Sequence, residues 1–327
     1  EESCCLKLLE LLLGCGVMEE ELEMELEEGG SGGGGGSGVG RSLAGVSVLT
    51  NVVDPALSLL VVESLSVLYR AFCGDGGGNE ESESSALSLS PPCGKQQRGA
   101  FVPRPQSYKE KNQGRDMMHF GAYVHNNRLQ DAQPMPFTSE IHMACAALVK
   151  AGAMPYDTWA DACTVGMYEE GSWLPPHEDS RAFERPIVIL SLLSDEQEMT
   201  FGQVDNLGEY REKARIRMPA RSATIIDAPA AYAPWLHALA PAPTGRISLT
   251  FRRVSPEARR ALQVERMETE RAGAMQSLKC AAQLQERAAS GRGLSQNEIK
   301  KLRKKARAKQ AKVQTKLNHA NNLAMET

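Results

Sequence analysis

The side chains best suited to chemistry lie in the short segment PPHED, which contains His177 and Asp179. In an extended segment, residues two positions apart point to the same side, so this histidine and this aspartate can bind one metal ion together. A second histidine, His237, stands further along the chain. Two histidines and one carboxylate occupy one face of an octahedron, which suits iron(II) that must bind a chelating keto acid and then oxygen. An isolated His-x-Asp pair is more often accidental than a metal site, so its meaning depends on the residues that accompany it.

A pair of arginines forms the second candidate group, in the segment RISLTFR from Arg246 to Arg252. Alternation along a strand places both arginines on one face with a serine and a threonine, and places the apolar residues on the other. The polar face either faces solvent or lines a ligand cavity inside a barrel. The segment taken alone leaves both interpretations open and favours solvent.

The elements around these residues are predicted to be mainly strands. One amphipathic helix is expected from Ser139 to Gly152, with Ser139 as its cap and Gly152 as its end. Short runs separated by proline and glycine predict six strands: Thr164–Tyr168, Ile187–Leu193, Met199–Val204, Lys213–Met218, Ala223–Asp227 and Arg246–Arg253. One leading helix and many short strands predict a mainly β (α+β) fold of the antiparallel barrel or jelly-roll kind.

Composition divides the 327 residues into three parts. Residues 1–98 contain a Gly/Ser run and an acidic run, and such a segment is expected to be mostly disordered because it cannot bury enough apolar surface. Residues 99–255 hold all three tryptophans and are expected to form one globular domain. Residues 256–327 are predicted to be helical, with a basic tract from Lys300 to Lys312. The formal net charge of −4 averages an acidic amino-terminal part with a basic carboxy-terminal one.

The apolar stretch from Ser42 to Val62 approaches the length of a membrane span. Asn51, Asp54 and Pro55 in its middle argue against a span, and Asp54 followed by Pro55 predicts the start of a helix instead. The eight cysteines include no zinc-spaced pair and no secretory leader is recognised, so we expect an intracellular protein of the nucleus, the cytoplasm or both. Because the sequence begins with Glu1, we expect a fragment or an incomplete gene model.

Taken in order, these motifs resemble the AlkB-type dioxygenases, which oxidise N-methyl groups on nucleic acid bases. The resemblance runs from about Gly114 to Arg253. The stretches YEEG…PPHED and H…PTGRISLTFRR are most similar to plant members of the branch that contains the eukaryotic N6-methyladenosine RNA demethylases. The fold that this resemblance implies is a double-stranded β-helix, or jelly roll, with flanking helices.

The resemblance also implies a role for each residue of the motifs. The ligands of iron(II) would be His177, Asp179 and His237. The co-substrate 2-oxoglutarate would be held by Arg246 at its distal carboxylate, by Arg252 at its chelating carboxylate and by the hydroxyl of Tyr168. Dioxygen would be the further substrate.

One position departs from the family pattern. The family has an asparagine two residues before the tyrosine, whereas this chain has Gly166. A hydrogen bond to the co-substrate or its surroundings is therefore missing. Either Thr164 or a water molecule compensates, or co-substrate binding is weakened and the chain is a less active or inactive member.

The segment from Gly114 to Asn126 falls where the family places its nucleotide-recognition lid. Arg115, Phe120 and Tyr123 combine positive charge with rings on which an extruded base can stack. The alternative is that the two aromatic residues belong to the core of a strand and that the arginine is solvated. The basic tract likewise suits attraction of RNA phosphates, a nuclear-import signal or a solvated helix face.

The resulting prediction is oxidative demethylation of N6-methyladenosine in RNA (mRNA), with release of formaldehyde, succinate and CO2. The alternatives are a dioxygenase acting on alkylated DNA or protein, and a catalytically decayed RNA-binding protein. Methylated RNA is the expected partner, DNA is a second possibility, and no membrane is expected. A monomer is the default expectation.

Overall fold

The computed structural model describes residues 43–73, 100–132, 134–291 and 293–325, with side chains described as far as residue 315. The chain divides after Ser255 into two compact units. The first unit contains helices α1 (Pro55–Cys73), α2 (Gln106–Lys109) and α3 (Ser139–Lys150). Its strands are β1 (Val46–Leu49), β2 (Phe101–Val102), β3 (Asp116–Gly121), β4 (Val124–His125), β5 (Arg128–Leu129), β6 (Ala162–Tyr168), β7 (Leu174–His177), β8 (Ile187–Leu192), β9 (Glu198–Val204), β10 (Tyr210–Arg217), β11 (Ser222–Ile226), β12 (Leu236–Leu239) and β13 (Arg246–Arg252).

The strands form two main antiparallel sheets. One has seven strands in the order β1-β11-β8-β13-β6-β3-β2, and the other has four in the order β10-β9-β12-β7. From β6 to β13 successive strands alternate between the two sheets, except that β9 and β10 form a hairpin within the small sheet, and this is the topology of a jelly roll. The predicted fold class is therefore confirmed, and the predicted strands correspond to β6, β8, β9, β10, β11 and β13.

Alternation of side chains explains why the large sheet is buried on both faces. Val165, Leu190 and Leu249 point to one face, where they join a core that includes residues of α1 and α3. Ile189 points to the opposite face and joins a second core with Phe201 and other residues of the small sheet. A polar side chain on this second face therefore lies between two sheets and not at the protein surface.

The segment after Asp54 forms a helix with the predicted start. The backbone N–H of Leu57 donates to Asp54 Oδ1 at 2.8 Å, and Pro55 is the first helical residue. By length and composition, α1 is apolar enough to cross a membrane. In this structure one face of the helix, which includes Val61 and Leu65, is buried in the core of the first unit.

The folded unit extends further toward the amino terminus than the predicted boundary at residue 99. Strand β1 pairs with β11, and α1 packs on the core. The prediction of disorder is therefore wrong for residues 43–73, which contribute a strand and a helix. The rest of the segment 1–98 lies outside the described residues.

Helix α3 has the predicted extent but a different cap. Thr138 Oγ1 accepts a hydrogen bond from the backbone N–H of Ile141 at 3.3 Å, so the cap is Thr138 and not Ser139. Gly152 follows the helix end at Ala151 with a φ of 76°, a conformation that glycine adopts without strain. The face of α3 that carries Ile141, Cys145 and Leu148 is fully buried.

The second unit is a pair of helices, α4 (Pro256–Ser290) and α5 (Gln296–Met325). Ala274, Ala281 and Ala288 are buried at seven-residue intervals on α4, and α5 buries Ala306 and Val313 at the same interval. Helix α5 starts with a capping box, in which Glu298 accepts from the backbone N–H of Ser295 at 2.8 Å. The basic tract lies within this helix, and its lysines and arginines are mostly exposed.

Candidate active site

Two histidines face each other across neighbouring strands of the small sheet. His177 ends β7 and His237 lies in β12, and the strand register pairs these two residues directly. Their ring centroids are 4.4 Å apart. Strand pairing thus brings together two side chains that are far apart in sequence.

Asp179 follows His177 by two residues and reaches the same place. Its Oδ2 lies 3.5 Å from His237 Nε2, and its Oδ1 accepts a hydrogen bond from Arg252 Nη2 at 2.7 Å. With the carboxylate turned toward this arginine, no three His, Cys, Asp or Glu side chains in the described ranges stand in coordinating geometry. The three predicted ligands are nevertheless neighbours, with the two histidine rings 4.4 Å apart and Asp179 Oδ2 3.5 Å from His237 Nε2.

The protonation states suit a divalent metal. Burial lowers the pKa of His237 to about 3, and the nearby His177 adds to this effect. Burial also lowers the pKa of His177. Burial opposes ionisation of Asp179, but Arg252 and the two histidines outweigh it and hold the pKa of this carboxyl well below its usual range. Two neutral imidazoles and one ionised carboxylate are the forms that bind a metal ion.

A backbone contact also fixes the tautomer of His177. Its Nδ1 lies 2.8 Å from the carbonyl oxygen of Pro175. Because a carbonyl oxygen only accepts, Nδ1 carries the hydrogen and Nε2 keeps a free lone pair. The donor set therefore fits iron(II) by its chemistry, with one oxygen and two nitrogen ligands.

The polar face of β13 lies between the two sheets. Arg246 is 2% exposed, and its Nη2 donates to Ser191 Oγ at 3.0 Å. Arg252 is also buried, and its Nη1 donates to Thr164 Oγ1 at 3.2 Å. The solvent interpretation of this strand is wrong, because the small sheet covers the face that carries the arginines.

A cavity between the sheets brings the predicted metal-binding and co-substrate-binding residues together. Its wall includes Arg115, Tyr168, His177, Asp179, His237, Arg246 and Arg252, together with Leu174, Ile189, Met199, Leu239, Ser248 and Thr250. The polar residues come from both sheets, and the apolar ones lie mainly on the small sheet. The predicted metal ligands and three arginines thus line one cavity.

Each of three arginines in this cavity has one buried donor atom that lacks an acceptor in the described part of the chain. The Nε atoms of Arg115, Arg246 and Arg252 are buried, and in the described part of the chain they have no hydrogen-bond partner. Asp179 is the only carboxylate among the lining residues. A buried donor without an acceptor is costly, and an excess of buried positive charge is more so. The cavity therefore fits an anion with several oxygens, such as the dicarboxylate 2-oxoglutarate.

The three predicted substrate residues do not form one surface. Phe120 is fully buried in the core beside the helices, so its prediction as a stacking platform for a base is wrong. Strand parity explains this, because Phe120 points to the helix side of β3. Tyr123 is partly exposed and its ring lies 5.0 Å from that of His119. Arg115 reaches into the cavity that holds the predicted co-substrate residues.

Thr164 does not compensate for Gly166. Its hydroxyl is engaged by Arg252 and lies 3.2 Å from His119 Nδ1. Ser191, which sequence reasoning missed, supports Arg246 by a buried hydrogen bond. The strand β8 around Ser191 is otherwise apolar, and that single polar residue is the signal that was available.

Several other residues have structural surroundings. Glu178 forms an ion pair with Arg181 at 3.1 Å, directed away from the cavity. Cys145 and Cys163 are buried, and burial raises the pKa of the Cys145 thiol to about 12. Trp173 and Trp235 are not among the residues that line the cavity.

Comparison with known proteins supports the same family. The chain is 30% identical over 133 residues to the RNA demethylase ALKBH9B of Arabidopsis thaliana, a match that covers 40% of this chain. It spans 25% of the length of that relative. The resemblance to the AlkB-type dioxygenases is thereby confirmed. No family model matches the chain.

Two solved structures overlap with the chain at low sequence identity. A prolyl-4-hydroxylase of Pseudomonas putida is 13% identical with a TM-score of 0.37, covering 64% of this chain and 93% of its own. A prolyl hydroxylase from Trichoplax adhaerens, in complex with a hypoxia inducible factor peptide fragment, is 12% identical with a TM-score of 0.40. That overlap covers 66% of this chain and 86% of the other.

Proposed function

We propose that this chain carries an iron(II)- and 2-oxoglutarate-dependent dioxygenase that removes the methyl group of N6-methyladenosine in RNA. The observation that supports it best is the cavity in which His177, Asp179 and His237 adjoin three arginines whose buried Nε atoms have no hydrogen-bond partner in the described part of the chain. Metal ligands beside an anion site in one cavity are what a metal-chelating keto acid requires.

The ligands of iron(II) would be the two histidines and Asp179. When bound there with 2-oxoglutarate and dioxygen, the metal supplies oxidation of an N-methyl group, with release of formaldehyde, succinate and CO2. The chain itself supplies binding, orientation and exclusion of water.

Arg246 would hold the distal carboxylate of the co-substrate. Its guanidinium is fixed by Ser191 and lies 5.0 Å from the centre of the Tyr168 ring, so its position is set before the ligand arrives. The apolar residues Leu174, Ile189 and Met199 line the same space and exclude water around this contact. The Arg252 guanidinium keeps Asp179 ionised and would lie near the chelating end of the co-substrate.

The assignment of RNA as substrate rests on two further observations. The curated relative is an RNA demethylase. In addition, α5 exposes a run of lysines and arginines, from Lys300 to Lys312, that contains no carboxylate. Such a face attracts phosphate groups and makes binding dependent on salt.

The deciding experiment is mass spectrometry of oligonucleotides incubated with the protein, iron(II), ascorbate and 2-oxoglutarate. The panel contains N6-methyladenosine RNA, the same sequence as DNA, and an N1-methyladenosine RNA. We expect loss of the N6-methyl group from RNA, abolished in His177→Ala and retained in His142→Ala, whose histidine is exposed on α3. Demethylation of DNA alone would redirect the proposal to alkylated DNA, and no turnover in any arm would refute it.

A further inference from the structure

We infer that Arg115 is a co-substrate-binding residue, and that its side chain fills the space left open by Gly166 and supplies the donor that an asparagine there would have supplied. This inference rests on the proposed function, because the ligand it names is 2-oxoglutarate. Arg115, which the sequence predicts to contact the substrate base, would instead bind 2-oxoglutarate.

The space beside Gly166 is occupied by the arginine. A Cβ atom added to Gly166 would lie 2.6 Å from Arg115 Cδ and 2.8 Å from Arg115 Nε, both closer than such contacts allow. Strand β3 pairs with β6, so Arg115, which directly precedes β3, is placed next to this glycine. The arginine in its present position and a side chain at Gly166 therefore exclude each other.

The Nε of Arg115 lies beside the position that a side chain at Gly166 would take. Its Nη1 donates to Tyr168 Oη at 2.7 Å, and its Nε is buried without an acceptor in the described residues. A guanidinium only donates, so the Tyr168 oxygen accepts and the phenolic hydrogen stays available to a ligand. Arg115 thus directs the Tyr168 hydroxyl outward and presents a further N–H beside it.

The charge around Tyr168 indicates what the ligand must be. The guanidinium of Arg115 lies 5.4 Å from the centre of the Tyr168 ring, and that of Arg246 lies 5.0 Å from it. No carboxylate other than that of Asp179 is among the residues that line this cavity. Burial lowers the pKa of Arg246, and the positive charge of Arg115 adds to the lowering. A bound dianion relieves the repulsion between these guanidinium groups, whereas an uncharged base does not.

The test is a double-mutant cycle read by calorimetry of 2-oxoglutarate binding to the manganese(II)-loaded full chain. We expect Arg115→Ala to weaken binding about tenfold or more, because a charge-assisted hydrogen bond to the ligand is lost. Gly166→Asn should also weaken binding, because the new side chain displaces the arginine. The double variant Arg115→Ala/Gly166→Asn should bind more tightly than either single variant, because the asparagine then has room to donate.

The rescue separates a ligand contact from a structural role. If Arg115 only stabilised its segment, the asparagine would not restore affinity, and the double variant would be at least as weak as the weaker single variant. That result, or an unchanged affinity in Arg115→Ala, would overturn the inference. Thermal unfolding of each variant identifies any that has lost its fold. If Arg115→Ala has lost its fold, Arg115→Lys replaces it in the test, and we expect Arg115→Lys to keep part of the affinity for 2-oxoglutarate.

The two proposals fail in different ways. Absence of 2-oxoglutarate binding by the metal-loaded parent protein would refute both. Binding by the parent that is abolished by Arg246→Ala but unaffected by Arg115→Ala would refute this inference and leave the proposed function intact.

Discussion

Arg252 and Asp179 form an ion pair in which Nη2 and Oδ1 are 2.7 Å apart and both side chains are only 11% exposed. The pair links the two sheets, because Arg252 ends β13 and Asp179 follows β7. Each charge is therefore removed from water and depends on the other. Removal of one partner leaves the other buried and uncompensated.

The first prediction concerns this pair. We expect Arg252→Met to lower the unfolding free energy of the metal-free protein by about 3 kcal/mol or more, because the carboxylate of Asp179 is left buried without its cation. Urea denaturation followed by circular dichroism measures the loss. The matched control is Arg181→Met, which breaks the exposed pair with Glu178 and should cost clearly less, because water screens that pair. Equal losses in the two variants would contradict this account.

The second prediction concerns acid sensitivity. Burial, with the charges of Arg252 and Arg115, lowers the pKa of His119 from 6.5 to about 4. As the pH falls, His119 is therefore protonated in the unfolded chain before it is protonated in the folded protein. The contribution of the neutral His119 to folding stability is complete above pH 6.5 and is lost as the pH falls toward 4. We expect His119→Gln to flatten the acid side of the stability profile, measured by urea denaturation between about pH 7 and about pH 4. His142→Gln, at an exposed position, should leave the profile as steep as in the parent.

The third prediction separates a core role from a substrate role. Phe120 is fully buried, so Phe120→Ala should cost about 3 to 5 kcal/mol of stability through the cavity it leaves. Tyr123→Ala, at a partly exposed position, should cost clearly less. Chemical denaturation of both variants provides the comparison. A loss of RNA binding with unchanged stability in Phe120→Ala would mean that this ring faces substrate after all.

The fourth prediction concerns the basic face of α5. Neutralising the exposed Lys301, Lys304 and Lys305 to glutamine should weaken RNA binding and reduce the slope of log affinity against log salt by about 2. Fluorescence anisotropy with a labelled single-stranded RNA at several salt concentrations gives the slope. The control carries the same number of substitutions on the first unit, at Lys109, Lys111 and Lys150, which are also exposed. If both triple variants change the slope alike, the effect is one of net charge and not of this face.

Some of the site follows from local sequence because strand parity is a local property. Arg246 and Arg252 share a face whatever the rest of the chain does, and His177 and Asp179 share one as well. The face that is buried is not a local property. It depends on the small sheet covering β13, and the alternation in RISLTFR is the same in either case.

Other parts of the site depend on pairing between distant segments. The contact between Arg115 and Gly166 exists because β3 lies beside β6, and no spacing along the chain specifies that neighbourhood. Helix α1 and β1 lie in a segment that its Gly/Ser-rich and acidic runs predict to be mostly disordered, although the cap and proline at Asp54 and Pro55 do predict the start of α1. Strand β7 was missed for a different reason, since Pro175 and Pro176 remove two backbone donors and are typical of a loop.

Pro175 and Pro176 lie in β7, which is an edge strand. It is the outermost strand of the four-stranded sheet, where a proline whose nitrogen faces outward removes no hydrogen bond, and its pairing with β12 has a register shift in this stretch. Because Leu174–His177 contains two prolines, it offers few backbone N–H donors to a strand of another molecule, and the sheet is not easily extended there. Strand β7 can thus hold His177 at the margin of the small sheet while it offers few donors for another strand to pair with.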